Sequence, residues 1–129
     1  RAIMGRTLYL PLKKKWYEMI ECGYKTEEYR EIKPYWIKRL FKCARTSFCA
    51  IDDITDEIAN LYCTNPEKIN QGIAFGGLSK TFDTVKFSLG YSKKTMSFKV
   101  TYCYAGRGRK HWGAPGNKVF VIGLGRRIE

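Results

Sequence analysis

What this sequence lacks narrows its reading first. It holds a single histidine, His111, and an odd set of cysteines, Cys22, Cys43, Cys49, Cys63 and Cys103, with no C-x-x-C pair among them. That pattern argues against a disulfide framework and against a zinc knuckle, so reduced thiols and no metal are expected. No apolar run approaches the roughly 20 residues that a membrane-crossing helix needs, and the first residues lack the apolar core of a signal peptide. A cytoplasmic protein with no membrane partner is the expectation. Internal repeats and low-complexity tracts are missing as well. The sharpest absence is of one charge sign: from Thr84 to Arg127 there is not one carboxylate side chain.

What is present fits one folded domain over residues 1 to 129. The chain is 44% hydrophobic and 15% aromatic, ample for a core, and its formal net charge is +12. The acid-free stretch carries Lys86, Lys93, Lys94, Lys99, Arg107, Arg109, Lys110, Lys118, Arg126 and Arg127, and a second basic run holds Lys33, Lys38, Arg39, Lys42 and Arg45. So one-sided a distribution makes a field that attracts polyanions through phosphate contacts and counterion release. RNA, or DNA, is the partner class this suggests; the competing reading is a solvated basic surface.

Hydrophobic periodicity places the elements. Thr7 to Leu12 alternates, with Leu8, Leu10 and Leu12 on one face, as in a half-buried strand. Lys14 to Cys22 reads as an amphipathic helix through Trp16, Met19 and Ile20, with Gly23 just past its end. Thr26 to Arg30 fits a short strand whose Thr26, Glu28 and Arg30 share a polar face. Pro34 opens a second helix with an apolar stripe of Trp36, Ile37, Leu40 and Phe41, flanked by Lys38, Arg39 and Lys42. Ala44 to Lys80 reads as an acidic insertion, with Asp53 capping a helix that carries Ile54, Ile58 and Leu61, and a further turn from Asn65-Pro66. A packed surface elaboration is favoured there over a functional lid. Thr84 to Tyr91 and Thr95 to Tyr104 alternate as an antiparallel hairpin, placing Val85, Phe87, Leu89 and Tyr91, then Met96, Phe98, Val100, Tyr102 and Tyr104, on single faces. Ala105 to Gly116 is a glycine-rich basic loop holding Trp112, a composition suited to stacking and phosphate contact. Val119 to Leu124 closes the sheet as a buried strand.

Gly23, Lys25, Glu28 and Arg30 reproduce a G-x-K-x-x-E-x-R pattern. This resembles the signature of ASCH domains, the activating-signal-cointegrator homology members of the PUA-like superfamily. The flanks Thr7 to Lys13 and Glu31 to Trp36 are similar to the family too, as are Phe82 to Phe87, Gly90-Tyr91, Trp112 to Pro115 and Val119 to Gly125, which look like the later strands and loops of phage and mobile-element ASCH proteins. The resemblance implies an α+β fold, a small, mostly antiparallel β-barrel flanked by two or more helices, without a cofactor.

It also implies a site. The signature would lie at the mouth of a cleft between barrel and helices that receives RNA or a nucleotide-like ligand. Lys25 would contact a phosphate or a polarised carbonyl, and Glu28 and Arg30 would hydrogen-bond a base edge. Tyr91 or Trp112 would stack on the base, while Lys38, Arg39, Arg107, Arg109 and Lys110 supply positive charge along the strand. The competing reading of the trio is a salt bridge that locks helix to barrel. An enzyme is the alternative class, because some bacterial ASCH proteins are amidohydrolases on acetylated cytidine that use a lysine, a threonine three residues later and a distant glutamate, which has no assigned counterpart in the divergent middle of this sequence. Lys25 matches that lysine, but Glu28 occupies the threonine position, leaving Thr26 as a displaced nucleophile beside Lys25. For ribonuclease chemistry His111 with Glu28 is the obvious acid and base pair. A protein-interaction module is the third class.

Overall fold

Leu8, Leu10 and Leu12 point one way from the first strand, β1 (Thr7–Leu12), and are buried while their neighbours are exposed. That alternation sets the inner face of the sheet. The computed structural model describes residues 6–43 and 54–129. After β1 come α1 (Lys14–Glu21), β2 (Glu27–Glu31), α2 (Pro34–Leu40), β3 (Phe41–Cys43), α3 (Asp56–Thr64), α4 (Glu67–Ala74), β4 (Leu78–Lys80), β5 (Thr84–Leu89), β6 (Thr95–Gly106), a 3₁₀ turn (Lys110–Trp112) and β7 (Val119–Arg127). The main sheet has the order β1-β5-β6-β7-β2, and β3 and β4 form a separate antiparallel pair.

The sheet curls into a half-barrel. Its β5–β6, β6–β7 and β2–β7 pairings are antiparallel, whereas β1 lies parallel to β5. The expected mostly antiparallel pairing is therefore present, but the sheet is mixed and its end strands, β1 and β2, do not pair with each other. A closed barrel is not what these strands make. The parallel contact is compatible with connectivity: four helices and three strands separate β1 from β5, which supplies the long crossover a parallel pair requires.

Helices α1 and α2 bury Tyr17, Ile20, Ile37 and Leu40 against Leu10, Phe87, Met96, Phe120 and Ile122 of the inner sheet face. Burying such side chains contributes roughly 1.5–3 kcal/mol each. The segment read as an insertion joins this same core through Ile54, Ala59, Ile69 and Leu78. Asn70 on α4 ties it further, donating to the Ala105 carbonyl at 2.8 Å and accepting from the Ala105 N–H at 2.9 Å. Residues 54–80 are thus packed into the core rather than laid on its surface.

Several boundaries move for local reasons. Thr55 caps α3, its hydroxyl accepting from the Ile58 N–H at 3.2 Å; Asp53, expected in that role, lies outside the described residues. Leu61 is exposed instead of facing the core with Ile54. Helix α2 ends at Leu40, so Phe41 enters the core from β3. Tyr91 is 96% exposed in the turn after Gly90 and does not continue the inward face of β5. The register of β6 against β7 shifts between Phe98 and Val100 and again between Val100 and Tyr102. The first adds a residue to β7 and the second adds one to β6, and an extra residue exchanges the faces of the strand that carries it. Beyond them Cys103 and Ala105 are buried, and Tyr102 and Tyr104 lie outside, opposite to the expected alternation. Among the described residues no helix is long and apolar enough to cross a membrane.

Candidate nucleic-acid interface

Helix α1 ends in a reversal that needs glycine. Gly23 sits at φ +88°, its N–H donating to the Ile20 carbonyl at 3.1 Å, and the Lys25 N–H then reaches back to the Met19 carbonyl at 2.9 Å. The turn delivers the Lys25 side chain beneath the end of the helix, where it is 2% exposed. Its ammonium donates to Glu28 Oε1 at 2.8 Å and to the Trp112 carbonyl at 2.6 Å, and lies 4.6 Å from the Trp16 ring centroid and 5.4 Å from that of Tyr29. The two acceptors and the two ring faces together compensate a buried charge. Burial still dominates, holding the Lys25 pKa below the ordinary lysine value against the pull of Glu28.

The other Glu28 oxygen accepts from Arg30, whose same nitrogen also donates to the Tyr29 carbonyl at 2.8 Å. The trio is thus one ionic chain, nearly closed at Lys25 and Glu28 and opening to solvent at Arg30, where the side chain is 18% exposed. Arg30 then faces Trp36 on α2, its guanidinium carbon 5.3 Å from the ring centroid, and Arg39 lies 5.4 Å from the same centroid. Tyr35 meets Trp36 edge-on at 4.9 Å and is exposed. Arg39 in turn donates to the Tyr9 carbonyl at 2.8 Å and to the Tyr35 hydroxyl at 3.0 Å. Two guanidiniums sharing one indole at the open end of a buried ionic chain can offer fork-shaped donors and a π face together.

The glycine-rich loop is packed rather than splayed. Gly113, at φ +99°, lies so close to Trp16 that a Cβ would come within 3.0 Å of the ring. A Cβ on Gly108 would fall 2.5 Å from the Tyr29 ring. Trp112 is buried in a second apolar cluster with Tyr29, Ala114, Val119 and Val121 on the outer side of the sheet. It is therefore not free to stack on a base. The exposed aromatics there are Tyr24 and His111, whose rings are 5.8 Å apart and both lean on Trp112. Arg109 lies over Trp112 at 5.0 Å, Arg107 donates to the Gly116 carbonyl, and Lys110 is exposed.

Other expected residues are placed elsewhere. Lys25 is committed to Glu28 and the Trp112 carbonyl, so it does not present its charge to a phosphate. Lys38 pairs with Asp56 of α3. Tyr91 shares a surface depression with Tyr9, Pro11, Lys86 and Thr95, and none of the trio lines it. Thr26 is exposed and makes no hydrogen bond to Lys25, and His111 makes none to Glu28. Trp16 and Trp36, the two rings that hold the trio, were visible only as helix-stripe residues. Among the described residues no cluster of three or more His, Cys, Asp or Glu side chains could hold a metal ion. No protein-family model matches the chain, and neither does any curated protein or solved structure.

Proposed function

We propose that the chain is a PUA-like, ASCH-type domain that binds RNA or a nucleotide-like ligand beside the G-x-K-x-x-E-x-R motif. The observation that carries this reading is the pair Arg30 and Arg39 on the Trp36 ring, at the solvent end of the buried Lys25–Glu28 pair. One Arg30 nitrogen serves Glu28 and the Tyr29 carbonyl, so the rest of the guanidinium fork is available to a base edge or a phosphate. In this arrangement Lys25 and Glu28 orient Arg30, Trp36 and Tyr35 offer aromatic surface, and Arg39 adds charge. The excess of cations over the whole chain supplies the long-range attraction.

Anisotropy titration of labelled single-stranded RNA at several salt concentrations tests the reading. Affinity should fall steeply with salt. Arg30→Ala, checked for an unchanged far-ultraviolet circular dichroism spectrum, should cost about 1–3 kcal/mol of binding, the range for one lost specific contact. No association at low salt would remove nucleic acid as the ligand. For the alternative, an amidohydrolase-like enzyme, Lys25 is held below its ordinary pKa by burial, but its ammonium is engaged by Glu28 and the Trp112 carbonyl rather than by Thr26. Release of acetate from acetylated cytidine, abolished by Thr26→Ala, would establish it.

A further inference from the structure

Away from the motif, the outer face of β6, β7 and β2 carries two tyrosines laid over glycines. Tyr102 stands directly opposite Gly123 of β7, and a Cβ at Gly123 would come within 2.3–2.6 Å of three atoms of the Tyr102 ring. The ring therefore occupies the space that the missing side chain leaves. Gly106 gives the same room to Tyr104, whose ring would be 2.6 Å from a Cβ there. The Tyr102 hydroxyl reaches across β7 to donate to Glu27 on β2, so the ring is tied at its tip as well as seated on its floor. The two ring centroids are 5.6 Å apart, and the residues are 41% and 39% exposed. One side of each ring rests on the sheet and the other meets water.

The two strands that carry the rings and their glycines hold charge of one sign. Neither β6 nor β7 carries a carboxylate side chain. Above Gly125 sit the methyl of Thr101 and the Cβ of Lys99, within 2.8 and 3.8 Å of where a side chain would begin, so Lys99 shares the face of the two rings. At the other margin the Arg109 N–H donates to the Tyr29 hydroxyl at 3.0 Å, and that hydroxyl shares Glu27 with the hydroxyl of Tyr102. Glu27, the nearest carboxylate, is occupied by the hydroxyls of Tyr29 and Tyr102.

We infer that Tyr102 and Tyr104 form a stacking platform for unpaired bases of single-stranded nucleic acid, with Lys99 and Arg109 neutralising its phosphates. Aromatic rings held on a sheet offer bases a π face, which every base can use, and flanking cations track the backbone. A protein partner would meet the same rings, but it would need acidic side chains to face the cations beside them, where the one neighbouring carboxylate, Glu27, is already bonded to two phenols; a polynucleotide brings a charge with every residue. The platform shares with the proposed function only the ligand class, since neither Arg30 nor Trp36 contributes to it.

The test uses labelled ten-nucleotide homopolymers, as RNA and as DNA, beside an abasic strand with the same number of phosphates, titrated at low salt. Wild-type protein should bind the base-bearing strands at least tenfold more tightly than the abasic one, in RNA and DNA alike. A double Tyr102→Ala/Tyr104→Ala variant should lose that preference, and Tyr102→Phe/Tyr104→Phe should keep it. The preference should also persist in Arg30→Ala. Equal binding of abasic and base-bearing strands by wild-type protein would overturn the platform without any variant, and so would an undiminished preference in a folded double-alanine protein. Wild-type affinity in Arg30→Ala would overturn the motif site alone and leave the platform standing.

Discussion

Glu27 and Glu28 are adjacent in sequence and live in different chemistry. Glu28 faces inward from β2 beside Ile122 and is gripped by two cations, Lys25 and Arg30, with its side chain 6% exposed. Glu27 faces outward opposite Gly123 and is gripped by two neutral phenols, those of Tyr29 at 2.8 Å and of Tyr102. The inner carboxylate holds charge that cannot be left alone, because an unpaired buried ion costs far more than the pair gains. The outer one holds rings in place and keeps access to water. Alternation along one strand has thus separated a clamp from a positioning device.

Four experiments would break or sharpen that contrast. The largest effect should come from Glu28→Ala, which strands the buried Lys25 ammonium; chemical denaturation should show a loss of about 3–5 kcal/mol. Next, a double-mutant cycle with Lys25→Met and Glu28→Gln should return a coupling of about 0.5–3 kcal/mol, and additive losses would show that the two side chains do not act as a unit. Glu27→Gln should cost no more than about 1 kcal/mol, since its partners are neutral donors and solvent reaches the site. A loss as large as that of Glu28→Ala would erase the distinction.

The smallest effect is in the pH profile, and the two faces should contribute with opposite sign. Lys25 has a lowered pKa in the folded chain, chiefly through burial, so between that value and 10.5 the unfolded chain binds more protons and stability rises with pH. Tyr102 is pushed up to about 12, first by desolvation and then by its bond to Glu27. Between about 10 and about 12 the unfolded chain is the one that has lost the proton, so stability falls as pH rises. Unfolding midpoints measured across alkaline pH should lose the rise in Lys25→Met and have a shallower fall in Tyr102→Phe.

How far the sequence was legible depends on the range of the interaction involved. The strand at Thr7–Leu12, both early helices, the hairpin from Thr84 and the final strand were readable, because period and local termination encode them; Gly23 even marked the reversal that seats Lys25. The trio was legible as three charges on a short strand, and its burial was not, because Trp16, Trp36 and the Trp112 carbonyl reach it from three other segments. The signal of Tyr102 and Tyr104 was misread outright. Strict alternation put them inside, and the extra β6 residue between Val100 and Tyr102 put them outside.

By itself, then, the sequence determined the order of the elements, the one-sided charge and which residue types stand at each strand position, since these depend on neighbours along the chain. Only the tertiary structure decided that the sheet stays a half-barrel with β1 parallel to β5, that Lys25 is inside and Tyr102 outside, and that residues 54–80 join the core. The physical reason is common to all three: bulges, strand partners and the desolvation of a charge are set by segments far apart in sequence, and no local period carries them.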